Sequence, residues 1–206
     1  MIYTVPTLIQ RMFPSMLWRY MDADKVYLTF DDGPVPEATP WVLDQLATYG
    51  AKGTFFCIGN NVRKYPDIYD RILAEGHTVG NHTYNHSNGW KTPTRQYIAG
   101  VEAAAAVIDS KLFRPPYGKL RPRQLKELEA DYKVVMWDVL SGDYDPALTA
   151  EQCIQNVLRH TKAGSIIVFH DSVKAIDKLT AVLPVVLQHC QENNWTMAPL
   201  TFKTLQ

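Results

Sequence analysis

Short runs of β-branched and aromatic residues alternate along this chain with longer amphipathic stretches. That is the pattern of strand and helix units built around a buried, mainly parallel sheet. Seven apolar runs fall at 26–30, 54–58, 77–80, 112–113, 133–137, 165–169 and 195–197. Helix punctuation fills the gaps. Thr39-Pro40 reads as an N-cap followed by proline at the first helical position, and Thr149 with Gln152 as a capping box. Gly76 and Gly164 read as helix stops, the stretch 92–110 as helix throughout, and Pro184 as a bend in the last helix. The alternation predicts a single α/β domain, a (β/α) barrel with about seven parallel strands.

At 206 residues, with no glycine- or serine-rich divider, the chain is long enough for one substantial core. Residues 1–24 read as an N-terminal extension and 25–206 as the main domain. Phe13, Trp18 and the aliphatics of the extension suit the underside of a barrel or a membrane surface. Packing is the expectation, because membrane attachment asks for a stronger basic face. Lys plus Arg and Asp plus Glu each total 21, so overall charge recruits neither nucleic acid nor an anionic membrane. Cys57, Cys153 and Cys190 lie far apart without C-x-x-C spacing and read as reduced thiols. Pro6, Gln10, Arg11 and Pro14 interrupt every candidate signal segment, and no run approaches a membrane span. A cytoplasmic or membrane-peripheral monomer is therefore the default expectation.

The chemistry concentrates where apolar runs end. Asp31 and Asp32 follow VYLTF, His82 follows HTVGN, Arg114 follows LF, Asp138 and Asp143 follow KVVMW, and His170 with Asp171 follows SIIVF. In a parallel barrel those ends meet at one mouth, where active sites are assembled. Two adjacent carboxylates repel unless a cation or an arginine holds them, and a turn cap needs only one. His82 and His86, four apart, would share one face in a helical turn and reach a common ion. With Asp32 they make a two-nitrogen, one-oxygen set for Zn²⁺, Co²⁺ or another first-row ion, with positions left open. Arg114 at a strand end can hold a carboxylate ionised through a bidentate contact. His170, half buried beside a carboxylate such as Asp143, would be a proton donor. His77, His160 and His189 stand outside any such constellation and read as structural or surface residues.

Together these motifs resemble the polysaccharide deacetylases of carbohydrate esterase family four, whose NodB-like domain is a distorted (β/α) barrel. The likeness runs over about residues 25–205. Thr-Phe-Asp-Asp-Gly at 29–33 resembles the first motif, which implies Asp31 as catalytic base and Asp32 as metal ligand. His82-Thr-x-x-x-His86 resembles the second, whose histidines complete the metal site. Arg114-Pro-Pro-Tyr-Gly118 resembles the third, so Arg114 would orient the base and the Tyr117 N–H would face an oxyanion. Asp143-Tyr144 resembles the end of the fourth and Val168-Phe-His170 the fifth, with His170 as acid and Asp143 as its partner. Pro115, Tyr144 and Val168 would then line the substrate pocket, the last two against the acetyl methyl group.

Leu140 stands where the family often has aspartate, Tyr144 where it usually has tryptophan, and Val168 where leucine is common. These departures touch the groove wall more than the metal site. The resemblance implies release of acetate from an N-acetylated glycan: chitin oligomers, peptidoglycan, a surface polysaccharide or a lipid-linked sugar. Two rivals differ in kind. A cyclic-amide or ureide hydrolase would open a ring without acetate. A non-catalytic glycan-binding barrel would be expected to lack Asp31 or a metal ligand, and this chain keeps them all.

Overall fold

Strand β1 (Lys25–Asp31) is buried from Val26 to Asp31, which places it at the centre of the sheet. The computed structural model, which describes residues 4–202, arranges eight strands. The others are β2 (Thr54–Cys57), β3 (Thr78–Asn81), β4 (Leu112–Phe113), β5 (Lys133–Val134), β6 (Val139–Leu140), β7 (Ile166–His170) and β8 (Thr196–Met197). They follow the order β5-β4-β3-β2-β1-β7-β6, all parallel, with β8 pairing with the start of β1. The helices are α1 (Thr7–Met12), α2 (Thr39–Thr48), α3 (Gly59–Lys64), α4 (Pro66–Ala74), α5 (Thr94–Ala105), α6 (Pro122–Leu128), α7 (Ala150–His160) and α8 (Ile176–Glu192). The result is the parallel sheet with flanking helices expected from the alternation, curled into the distorted (β/α) barrel that the family resemblance implies.

The distortion has a local origin. The run 133–137 is not one strand: β5 lies at one edge of the sheet and β6, five residues on, at the other. Residues 135–138 cross the gap, with Val135 N–H donating to Phe113 and Asp138 N–H to Ile166. The N-terminal segment fills the same seam. Leu17 pairs with Val135, Thr4 with Val139 and Arg19 with Ser165, and Trp18 is buried with Phe113, Val134 and Met136. Helix α1 has no buried residue. Residues 1–3 of the expected extension and 203–206 of the expected main domain lie outside the described residues.

The main core lies between the sheet and α2, α7 and α8, where Leu28, Phe30, Ile167 and Phe169 meet Leu43, Val157 and Leu183. Because strand side chains alternate, the residues between these point into the barrel, Thr29, Asp31, Val168 and His170 among them.

The expected punctuation needs revision in places. The Thr149–Gln152 capping box forms, and Gly76 follows α4 with a φ of 78°. Thr39 is no N-cap; it is the first residue of α2, and its hydroxyl is taken by Val35 N–H and Asp171. Gly164 turns the chain into β7, four residues after α7 has ended. Helix α5 stops at Ala105 rather than filling 92–110, and α8 continues through Pro184. All three cysteines are free and buried.

Candidate active site

Strand register brings the chemistry together. Asp31 is the last residue of β1 and pairs with His170, the last of β7. Two titratable residues thus end adjacent parallel strands at the same height. Arg114 follows β4 and is fully buried, with its guanidinium stacked 4.1 Å from the Phe56 ring centroid. Its Nη1 donates to Asp31 Oδ1 and to Thr29 Oγ1, both at 2.7 Å. Nη2 and Nε donate to the carbonyls of Met136 and Val135. The contact with Asp31 is therefore single rather than bidentate, because backbone carbonyls take the other nitrogens. Burial lowers the Arg114 pKa, and Asp31 opposes that.

Asp32 turns away from this arginine. Its φ of 83° lies in the left-handed region, which is strained for a residue other than glycine. Three hydrogen bonds on Asp32 and Gly33 hold the backbone there. Asn61 Nδ2 donates to the Asp32 carbonyl at 2.8 Å, Gly33 N–H donates to Asp171 Oδ1 at 3.1 Å, and Ile58 N–H donates to the Gly33 carbonyl at 2.9 Å. Gly33 is required: a Cβ would collide with the Asp171 carboxylate.

Asp171 Oδ2 accepts the Thr39 hydroxyl at 2.6 Å, and that hydroxyl accepts from Val35 N–H. Burial raises the Asp171 pKa to about 8, with nearby Asp32 adding to the rise. Sequence alone assigns Thr29, Asn61 and Thr39 no part in this site, and gives Asp171 only a place at the mouth. For Asp171 the signal was present, an acid directly after an apolar run, as at Asp31 and Asp32.

The Asp32 carboxylate faces two imidazoles. Oδ1 lies 3.6 Å from His82 Nε2 and 3.1 Å from His86 Nε2, and the three ligand atoms fall within 4.8 Å of one another. The His82–His86 spacing does not act through a helix. Thr83 and His86 have φ of 63° and 54°, and side chains replace helical hydrogen bonds: Thr83 N–H donates to Asn81 Oδ1 and Ser87 N–H to Thr83 Oγ1. Tyr84 N–H is drawn away to Gly100 on α5.

His82 Nδ1 lies 2.7 Å from the Arg114 carbonyl, which can only accept, so Nδ1 carries the proton and Nε2 presents a lone pair. Burial lowers the His82 pKa to about 4, which keeps it neutral. Burial alone would raise the Asp32 pKa, but His86, His170 and His82 hold it well below the usual carboxylate range. A buried carboxylate oxygen that accepts no protein hydrogen bond, facing a neutral imidazole nitrogen, fits a divalent cation.

Opposite, Asp143 grips His170 twice: Oδ2 accepts the His170 N–H at 2.7 Å and Oδ1 accepts from Nδ1 at 2.8 Å. Burial would lower the His170 pKa, but Asp143, with Asp32 and Asp31 behind it, raises it to about 9. Tyr144 sets its ring 4.7 Å from the His170 ring, and Val168 lies two residues earlier on the same face of β7. Leu140 pairs with Val168.

Tyr117 has a φ of 62°, and its ring lies on His86 with centroids 4.6 Å apart. Pro115 is buried, with its carbonyl accepting from Gly118. Asp138 does not reach the cluster. It binds Ser165 and Ile166 at the opposite end of β7. His77, His160 and His189 also lie apart, bound to Gly53, Asn156 and Asn193.

A curled parallel barrel with paired acids, two imidazoles and an Asp–His couple at its C-terminal mouth defines a class of protein, and a family model for polysaccharide deacetylases matches residues 19–135. The chain belongs to that family. It is 38% identical over 170 residues to a peptidoglycan-N-acetylglucosamine deacetylase of Bacillus cereus, a match covering 75% of this chain and 62% of that protein. It is 32% identical over 154 residues to a chitooligosaccharide deacetylase of Azorhizobium caulinodans, covering 71% and 73%. Among solved structures, a peptidoglycan N-acetylglucosamine deacetylase in complex with an N-hydroxybenzamide superposes with a TM-score of 0.81 at 31% identity. That match covers 97% of this chain and 96% of the other.

Proposed function

We propose that this protein hydrolyses the N-acetyl group of an N-acetylated amino sugar within a glycan, releasing acetate and leaving a free amine. The observation that carries the reading is the division of labour between Asp31 and Asp32. Adjacent carboxylates face different partners, one an arginine and the other two imidazoles. A structural pair has no need of that separation. The relatives named for peptidoglycan and chitooligosaccharides support a glycan substrate, with peptidoglycan the first to test.

Asp32, His82 and His86 would hold one divalent ion, Zn²⁺ or another first-row ion such as Co²⁺. When bound, such an ion polarises a carbonyl and lowers the pKa of water at an open position. Asp31, held in place by Arg114, takes the proton of the attacking water. The Tyr117 N–H faces the oxygen on which negative charge develops, and one such donor is typically worth about 3 kcal/mol. His170, protonated and held by Asp143, gives its proton to the departing sugar amine. Tyr144 and Val168 flank that side and suit the acetyl methyl group, and Pro115 backs the Tyr117 loop. Among the described residues no helix is long and apolar enough to cross a membrane.

The test is acetate release by metal-loaded protein from N-acetylglucosamine oligomers and peptidoglycan fragments, with chelator-treated protein as blank and a cyclic ureide as control. Chelator-sensitive acetate from a glycan is expected. Ring opening of the ureide without acetate from any glycan would overturn the reading.

A further inference from the structure

Beside the candidate site, segment 86–92 runs against segment 117–121. At the near end the Tyr117 ring lies on His86. At the far end the Trp90 indole N–H donates to the Leu120 carbonyl at 3.3 Å, and the Arg121 guanidinium donates to the Trp90 carbonyl at 2.5 Å. Asn88 Oδ1 accepts the Trp90 backbone N–H at 3.0 Å, and Lys119 Nζ lies over the indole ring, 5.2 Å from its centroid. Between the ends, Gly89 sits so close to the Lys119 carbonyl that a Cβ would collide. Trp90 is four residues past His86, so its backbone lies within about 14 Å of that residue.

Despite these ties Trp90 remains 59% exposed, and Tyr117 is equally exposed at 59%. Holding a large aromatic surface in water gains nothing for folding. A ring already fixed at its N–H and on both sides of its backbone loses little conformational freedom when a flat partner settles on it. A polymer that loses one acetyl group must continue past the pocket, and the paired segments join Trp90 to the Tyr117 edge of the site.

We infer that Trp90 is the floor of a second sugar subsite. A neighbouring pyranose of the same glycan stacks its C–H face on the indole, on the side that Lys119 does not cover, with the Lys119 ammonium near enough to the ring to donate to a hydroxyl or acetamide oxygen at its edge. The inference rests on the glycan substrate proposed above and adds where the chain runs and which residue rewards its length.

The experiment measures kcat and KM for acetate release from N-acetylglucosamine oligomers of increasing length, using wild type, Trp90→Leu and Trp90→Phe. Melting temperature and bound metal are checked for each protein. In the wild type kcat/KM should rise with length. Trp90→Leu should flatten that rise by about tenfold for the longest oligomers, through KM, and leave the shortest unchanged. Trp90→Phe keeps a flat ring but loses the bond to Leu120, and should recover most of the rise.

An equal loss at every length would mean that Trp90 only latches the two segments, and no loss would mean it binds nothing; either result overturns the subsite. Should the wild type release no acetate at all, the deacetylation reading falls by itself. The subsite is then decided by calorimetric titration of the same oligomers: weaker binding of long oligomers by Trp90→Leu retains it, and identical binding removes it.

Discussion

Two histidines at opposite ends of the sheet, His77 buried and His170 partly so, have pKa values shifted in opposite directions. His77 precedes β3 at the N-terminal end, where burial, aided by Lys52, pushes its pKa down to about 4, and Glu75 at 3.8 Å fails to reverse it. His170 closes β7 at the C-terminal end, where burial pushes the same way but Asp143 lifts the pKa to about 9. The difference lies in the partner. Glu75 stays partly solvated and makes a distant contact, whereas Asp143 is fully buried and binds both the ring and the backbone of His170. One end uses imidazole as a neutral acceptor for Gly53 N–H, and the other stores a proton.

If proton handling belongs to the C-terminal end alone, the sharpest break is at Asp31. Asp31→Asn should lower kcat by about 10³-fold while bound metal, measured by atomic absorption, stays at the wild-type level. His82→Ala should lose metal and activity together. Full activity in Asp31→Asn would remove the base from the mechanism.

Asp143→Asn should make His170 behave like His77. An amide neither carries the charge nor accepts through both atoms, so burial would dominate and the imidazole pKa, followed by NMR, should fall below its ordinary value. A loss of about 10²-fold in kcat at neutral pH should accompany that fall. A His170 pKa that stayed near 9 in the variant would mean that Asp143 is not what separates the two ends.

A second contrast lies within the mouth itself. Asp31 is held by strand register, but Asp32 depends on a strained turn clamped by Asn61 and by Asp171 with Thr39. Asp171→Ala should weaken metal binding by about tenfold, by competition with a chromogenic chelator, since partners that orient a metal ligand carry effects of that size. Asp171→Asn, which can still accept from Gly33 N–H, should retain more. Unchanged metal affinity in a folded Asp171→Ala protein would make the clamp dispensable.

The parts of this site legible from sequence were those set by strand ends. Asp31, Arg114 and His170 each follow an apolar run, and parallel register does the rest. What escaped was set by hydrogen bonds between distant segments, which leave no period in the chain. The 82–86 turn converges without a helix because Asn81 and Gly100 take its N–H groups. The run 133–137 looked like one strand because its apolar pattern is unbroken, yet its backbone serves two opposite edges of the sheet. Asp138, placed by the same pattern among the mouth residues, binds the start of β7 instead.

The smallest expected effect concerns stability and tests the silent end of the comparison. A histidine with its pKa depressed to about 4 contributes stability that is present above its unfolded value of about 6.5 and lost as pH falls through 4. His170, raised to about 9, contributes stability present below about 6.5 and lost as pH rises through 9. Metal-free wild type should therefore lose stability on both flanks. His77→Gln removes its own share of the acid-side titration and leaves that of His82, so its urea midpoint should vary less between pH 6.5 and 4 while the alkaline flank and activity at neutral pH stay as they were. A variant whose acid flank matched wild type would show that burial of His77 is relieved before it titrates, and the contrast with His170 would then rest on Asp143 alone.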